Sequence, residues 1–171
     1  MGMERMQFIG DLPQLKSDLI SPQERSSGIL RICMISLGGE VFAIDVRQVQ
    51  EVFALESMTP VPGMPAALIG VANLRGTIVP LIDLRATLGL SLAMSPKYVV
   101  VVRHGSHHIG IVIDEVPETR SIDPHDLIAP SGNSIGQTNP FLFSFLKVGN
   151  RLCGILEVSR LLTYLEGAVD D

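Results

Sequence analysis

The chain has no tryptophan, two tyrosines and two cysteines in 171 residues, and only 18% of its residues are charged. Two thiols cannot build a disulfide framework or a four-thiolate zinc site within one chain. Cys33 and Cys153 sit in apolar, strand-like settings ("RICMI", "RLCGI") and read as buried free thiols. A formal net charge of -5 excludes the clustered Lys and Arg that a nucleic-acid partner requires. Long apolar runs are also missing: none approaches the roughly 20 residues needed to span a bilayer. The start, "MGMERMQFIGDLPQLK", has no uninterrupted apolar stretch of the kind that marks a secretory signal, so the expected location is cytoplasmic. No "GxxxxGK", "GxGxxG" or "GxSxG" is present, which removes the usual phosphate loops and the nucleophile elbow.

What the chain does have is apolar mass, 46% of residues, with a positive mean hydropathy of +0.36. A substantial core can be buried, as one domain or as two small, closely associated barrels. Residues 1–27 differ from the rest. Met3, Met6, Ile9, Leu12, Leu15 and Leu19 form a loose helical stripe that Pro13 interrupts, and "SPQERSSG" follows as a linker. This segment is expected to be a flexible or partly helical tail, with a docking helix as the alternative.

From Gly28 onward the pattern is that of strands. "SLGGEVFAI", "VRHGSHHIGI" and "LKVGNRLCGI" each place a glycine turn shortly before an apolar strand, as hairpins do. Aligned on the turn, Phe42, Ile109 and Cys153 correspond, as do Ala43, Gly110 and Gly154, then Ile44, Ile111 and Ile155. "NLRGTIVPL" is a fourth hairpin, turning near Arg75 and Gly76. The expectation is an all-β fold, a barrel or pair of barrels, in which two halves (about 28–90 and 97–165) hold two hairpins each. Helices should be few and short. Asp83 can cap "LRATL", with Gly89 as the stop; "VRQVQEV" can form a turn or two; "EVSRLLTYLEG" can close the chain with Leu161, Leu162 and Leu165 inward. Pro60, Pro62 and Pro65 exclude a central strand between the hairpins.

Chemistry is sparse. His104, His107 and His108 cluster around one hairpin turn, but neighbours on a strand point to opposite faces and cannot easily converge on one ion. They read as a solvated turn, and no metal, cofactor or catalytic residue is assigned. Arg75, in an otherwise apolar segment, is the remaining peculiarity. It is either a charge at an exposed hairpin tip or the partner of Glu51, oriented by paired hydrogen bonds beside a groove. Physical reasoning alone leaves both open.

"LGGEVFAIDVRQVQEV", "PVPGMPAALIGVANLRGTIVPLIDLRATLGL", "GIVIDEV" and "ILEVSRLL" together resemble the CheW family, in order and spacing, from about Ile29 to Leu165. The domain is accordingly expected over 28–167. The resemblance implies two SH3-like five-stranded β-barrels on a shared core, with a few short helices. It implies a non-enzymatic cytoplasmic adaptor that couples methyl-accepting chemoreceptors to a CheA-type histidine kinase and scaffolds arrays on the inner face of the membrane, without entering it. Val49, Glu51, Gly70, Asn73 and Arg75 become receptor-side positions, Val49 and Gly70 lining a groove between the barrels and Glu51 pairing with Arg75 beside it. Ser144 departs from a glycine common in the family. The loop from Ala129 to Pro140 offers no match to kinase-contact positions, so none is assigned. A kinase-binding regulatory relative in a non-flagellar pathway, for example one driving pili, is the alternative; a histidine-cluster metal-binding protein is a weaker one.

Overall fold

The computed structural model describes residues 28–129 and 139–170; the tail of 1–27 and most of the Ala129–Pro140 loop lie outside the described residues. Eleven strands, one α-helix and two three-residue 3-10 turns make up the described fold. The strands are β1 (Leu30–Leu37), β2 (Glu40–Asp45), β3 (Val49–Ala54), β4 (Leu68–Leu74), β5 (Thr77–Ile82), β6 (Tyr98–His104), β7 (His107–Ile113), β8 (Glu118–Ile122), β9 (Leu127–Ile128), β10 (Leu142–Val148) and β11 (Arg151–Leu156). Helix α1 (Val158–Asp170) closes the chain.

All four expected hairpins form, as β1–β2, β4–β5, β6–β7 and β10–β11. Glycines with positive φ sit in every one of these turns: Gly38, Gly39, Gly76, Gly105 and Gly149. The hairpins are then joined in pairs by parallel contacts that no local pattern announces. Strand β2 runs parallel to β11, giving a first sheet of order β8-β1-β2-β11-β10-β9. Strand β5 runs parallel to β7, giving a second of order β3-β6-β7-β5-β4. Each sheet therefore takes one hairpin from the N-terminal part of the chain and one from the C-terminal part. The two are built alike: two hairpins abut through a parallel pair, and a further strand flanks each outer side. In the second sheet, a bridge between Thr59 and Val71 stands where β9 stands in the first.

Three apolar clusters explain the high hydropathy. Ile32, Ala43, Ile122, Leu146, Cys153 and Ile155 fill the first sheet's own interior. Phe53, Ala72, Val79, Leu81, Val99, Val101 and Val112 come from all five strands of the second and fill its interior, as when a sheet wraps on itself. A shared core between the sheets holds Cys33, Ile35, Ile44, Val100, Val102, Ile111 and Phe141 among others. Side chains alternate faces along a strand. Thus Val99 and Val101 enter the second barrel while Val100 and Val102 enter the shared core. Strands buried on both faces cannot show apolar–polar alternation, and the sequence reads there as continuous hydrophobic runs.

Helix α1 packs Val158 and Leu161 fully into the shared core, with Leu162 and Leu165 against it, as its spacing predicts. The two other helical expectations are met only as single turns. "LRATL" makes only one turn, closed by Leu88 N–H on the Leu84 carbonyl and stopped at Gly89 (φ 70°). "VRQVQEV" is a three-residue 3-10 turn at Val46–Gln48 that passes directly into β3. Both turns open on an Asp-x-Arg. Asp45 and Asp83 each accept the backbone N–H two residues on, and each is forked by that residue's guanidinium. The second fork is buried: Arg85 is 6% exposed and also donates to the Met94 carbonyl, tying the loop before β6 back to the turn after β5. Burial works against the Asp83 charge, but hydrogen bonds and charge from Arg85 outweigh it and hold the carboxyl below its ordinary range.

Candidate functional site

The β4–β5 turn is a two-residue loop, since Leu74 pairs with Thr77. Both loop residues have positive φ, Arg75 at 54° and Gly76 at 82°. Such turns suit the right-handed twist of the strands, and they favour Asn, Asp or Gly at the first position. Arg75 is the one non-glycine residue with positive φ among the described residues. Left-handed backbone at a residue with a Cβ costs roughly 1–2 kcal/mol. The turn is steadied by Asn73, whose side-chain oxygen accepts the Gly76 N–H at 2.9 Å.

From this turn the Arg75 side chain reaches across to β3. Its Nη1 lies 3.3 Å from Glu51 Oε1, and its guanidinium carbon stands 5.3 Å from the centre of the Phe53 ring. The pairing expected of Glu51 and Arg75 is present, but as one contact and not a two-pronged fork. Arg75 is 56% exposed and Glu51 19%. Solvent screening at that exposure puts the ion pair at about 0.2–1 kcal/mol. The ring contact contributes about 0.5–1 kcal/mol more.

Glu51 faces this way because β3 carries a bulge. On an unbroken strand Val49, Glu51 and Phe53 would share a face. Against β6, however, Val49 pairs with Val102 and Glu51 with Val101, so the register slips at Gln50. The extra residue re-aims the strand. Val49 turns with Val52 into the shared core, whereas Phe53 enters the second barrel. A pocket of about 130 Å³ opens at that barrel's mouth, lined by Gln50, Glu51, Phe53, Arg75, Thr77 and His108 among others.

The five residues assigned by resemblance therefore fall into three places. Glu51, Arg75 and Asn73 meet at the mouth and its turn. Val49 has no exposed surface, so any influence on a partner passes through the core. Gly70 is buried beneath the segment around Met58 and Thr59, which exchanges two 2.9 Å backbone hydrogen bonds with Val71. A Cβ at Gly70 would come within 2.5 Å of the Thr59 carbonyl oxygen, so glycine is required for that approach. Sequence reasoning missed Gln50, Phe53, Thr77 and His108. Alternation from the turn could have found Thr77; His108 belongs to a strand that the turn does not announce.

Of the histidines, His104 and His107 are exposed at their turn, as expected, but His108 is half-buried in the pocket wall. Among the described residues, no group of three or more His, Cys, Asp or Glu could hold a metal ion. No described helix is long and apolar enough to cross a membrane. The thiols are buried as expected, and burial pushes Cys33 to about 12 and Cys153 to about 11.

Comparison with known proteins agrees with this fold. Residues 31–166 match the family model described as CheW-like domain. The chain is 33% identical over 144 residues to the chemotaxis protein CheW of Helicobacter pylori, covering 83% of this chain and 87% of that one. Identity is 30% over 141 residues with that of Klebsiella aerogenes, covering 81% and 84%. A shorter match, 37% over 82 residues, is to Protein PilI of Pseudomonas aeruginosa, covering 47% of this chain and 46% of that one. The crystal structure of the scaffolding protein TtCheW from Thermoanaerobacter tengcongensis superposes with a TM-score of 0.67 at 27% identity, over 75% of this chain and 88% of that one. The two wrapped sheets are thus SH3-like barrels on a shared core, the first with an added two-residue strand, β9. By sequence and by fold, this chain belongs to the CheW family of chemotaxis scaffold proteins.

Proposed function

We propose that this chain is a non-enzymatic cytoplasmic adaptor that couples methyl-accepting chemoreceptors to a CheA-type histidine kinase, at receptor arrays on the inner face of the membrane. The receptor-side contact is the mouth of the second barrel, where Glu51, Asn73 and Arg75 meet. Val49 and Gly70 act there indirectly, one from the core and one by seating the Met58–Thr59 segment. The observation that carries the reading is Arg75 itself. A strained turn position is occupied by a long cation that spans from β5's start to β3, although the ion pair it makes adds little to folding. Strain of that kind is retained where a surface has another task.

The test is reconstitution of the full chain with a CheA-type kinase and the cytoplasmic hairpin fragment of a chemoreceptor, followed by size-exclusion chromatography. One peak containing all three proteins is expected, with the receptor fragment lost from it in Arg75→Ala. Kinase bound without receptor supports the second reading, a regulatory relative in another pathway, which the partial match to PilI keeps in view. Binding of neither rejects both.

A further inference from the structure

Two polar atoms of the pocket residues are closed to solvent and have no hydrogen-bond partner: Gln50 Oε1 and His108 Nδ1. A buried polar atom left unpaired costs roughly 1–3 kcal/mol. The free chain therefore holds unmet hydrogen-bonding capacity in the pocket that Arg75 also lines. Gln50 is present there because of the β3 bulge, and His108 because β7 pairs with β6 through Arg103.

The chemistry of these atoms narrows what could meet them. Gln50 Oε1 only accepts; His108 Nδ1 donates or accepts according to its tautomer. Glu51 also only accepts when ionised, and its one ion-pair contact is to Arg75. An entering carboxylate would face Glu51, a like charge, and supply no donor. An ammonium or guanidinium would enter beside Arg75 and compete with it for Glu51. A primary amide brings two donors and one acceptor without charge. The pocket's volume of about 130 Å³ leaves room for an amide and a methylene.

We propose that Arg75 is a movable side chain that swings from Glu51 onto the docking partner, and that the partner inserts an asparagine or glutamine side chain beneath it, its amide donating to Gln50 and Glu51 and accepting from His108. The single 3.3 Å contact and the exposed guanidinium make the side chain easy to move. This rests on the docking role given to this surface above, and adds to it the chemical class of the group recognised.

The experiment is a set of double-mutant cycles between Gln50→Met in the full chain and single Asn→Ala, Gln→Ala and Lys→Ala changes in the chemoreceptor hairpin fragment, read by calorimetry. Gln50→Met should weaken binding about tenfold while leaving the melting temperature unchanged or raised, since it removes an unpaired buried oxygen. His108→Phe should weaken binding similarly, providing a second variant if the first is poorly folded. One amide of the fragment should couple to Gln50, its own change costing nothing further in Gln50→Met. Unchanged affinity in both folded variants overturns the pocket, as does coupling to a lysine. If Arg75→Ala still weakens binding in that case, the docking surface stands without its pocket; if wild-type chain binds no fragment, the docking reading itself fails.

Discussion

Arg75 occupies a backbone conformation that its own Cβ disfavours, which separates its effect on folding from its effect on recognition. Arg75→Gly relieves the left-handed strain while deleting the Glu51 contact and the Phe53 ring contact. The first gain is about 1–2 kcal/mol and the two losses together are of similar size. Its unfolding midpoint should therefore stay close to wild type, whereas Arg75→Ala, strained and without contacts, should fall by about 1 kcal/mol, a few degrees for a domain this size. Both should lose receptor binding. A cycle with Glu51→Ala should give a folding coupling below about 1 kcal/mol, measured by denaturant unfolding. A different residue contributes to stability in acid. Asp83 has its carboxyl held below 3.8 by Arg85 against the pull of burial. A depressed folded-state value stabilises above the unfolded value, and that share is lost as pH falls from about 4 through the folded value. Asp83→Asn should start less stable at pH 7 and lose less between pH 5 and 3, checked by melting curves across that range.

At the scale of elements, the strands meet most tightly where glycine replaces a side chain. Gly110 on β7 and Gly154 on β11 are equivalent, each paired in parallel with a strand of the other hairpin, Leu81 or Phe42. Their surroundings differ. A Cβ at Gly110 would lie 2.5 Å from Val99 Cγ1 and 2.7 Å from Leu81 Cδ2, inside the second barrel's core. At Gly154 the nearest atoms are 3.1 and 3.2 Å away, on Leu142 and Phe42. Overpacking a filled core costs roughly 1–3 kcal/mol. Gly110→Ala should reach the upper part of that range and Gly154→Ala the lower, by denaturant unfolding. That these glycines correspond was legible from the spacing of "HHIGI" and "RLCGI" after their turns. Legibility stopped at the parallel pairs, because β2 meets β11 across more than a hundred residues of chain and no turn residue records it. The bulge at Gln50 was equally silent: "VRQVQEV" read as a turn or two gives no strand register, and only the slipped pairing against β6 divides Val49 from Glu51. So the ion pair was reachable from the family's pattern, but the pocket it borders required the third dimension.

Across the whole molecule, the interlaced sheets determine what can fold alone. Residues 28–90 contain β1 and β2 of the first sheet and β3 to β5 of the second. Without the rest of the chain, β3 loses its neighbour β6, and β2 and β5 lose the parallel partners β11 and β7. The shared core would lose Val100, Val102, Ile111, Phe141 and Leu161 together. A fragment that short has too little apolar surface left to bury to offset its chain entropy. Residues 97–170 fare no better, since β6–β7 and β10–β11 are left in different sheets with no partner hairpin. Each fragment alone should show a disordered far-UV circular dichroism spectrum and no cooperative melt. Mixed at equal concentration, the two should regain strand signal and melt as one, because each sheet again receives both hairpins. A cooperative monomeric transition in either fragment alone would overturn this account of the fold, as would failure of the mixture to restore strand structure.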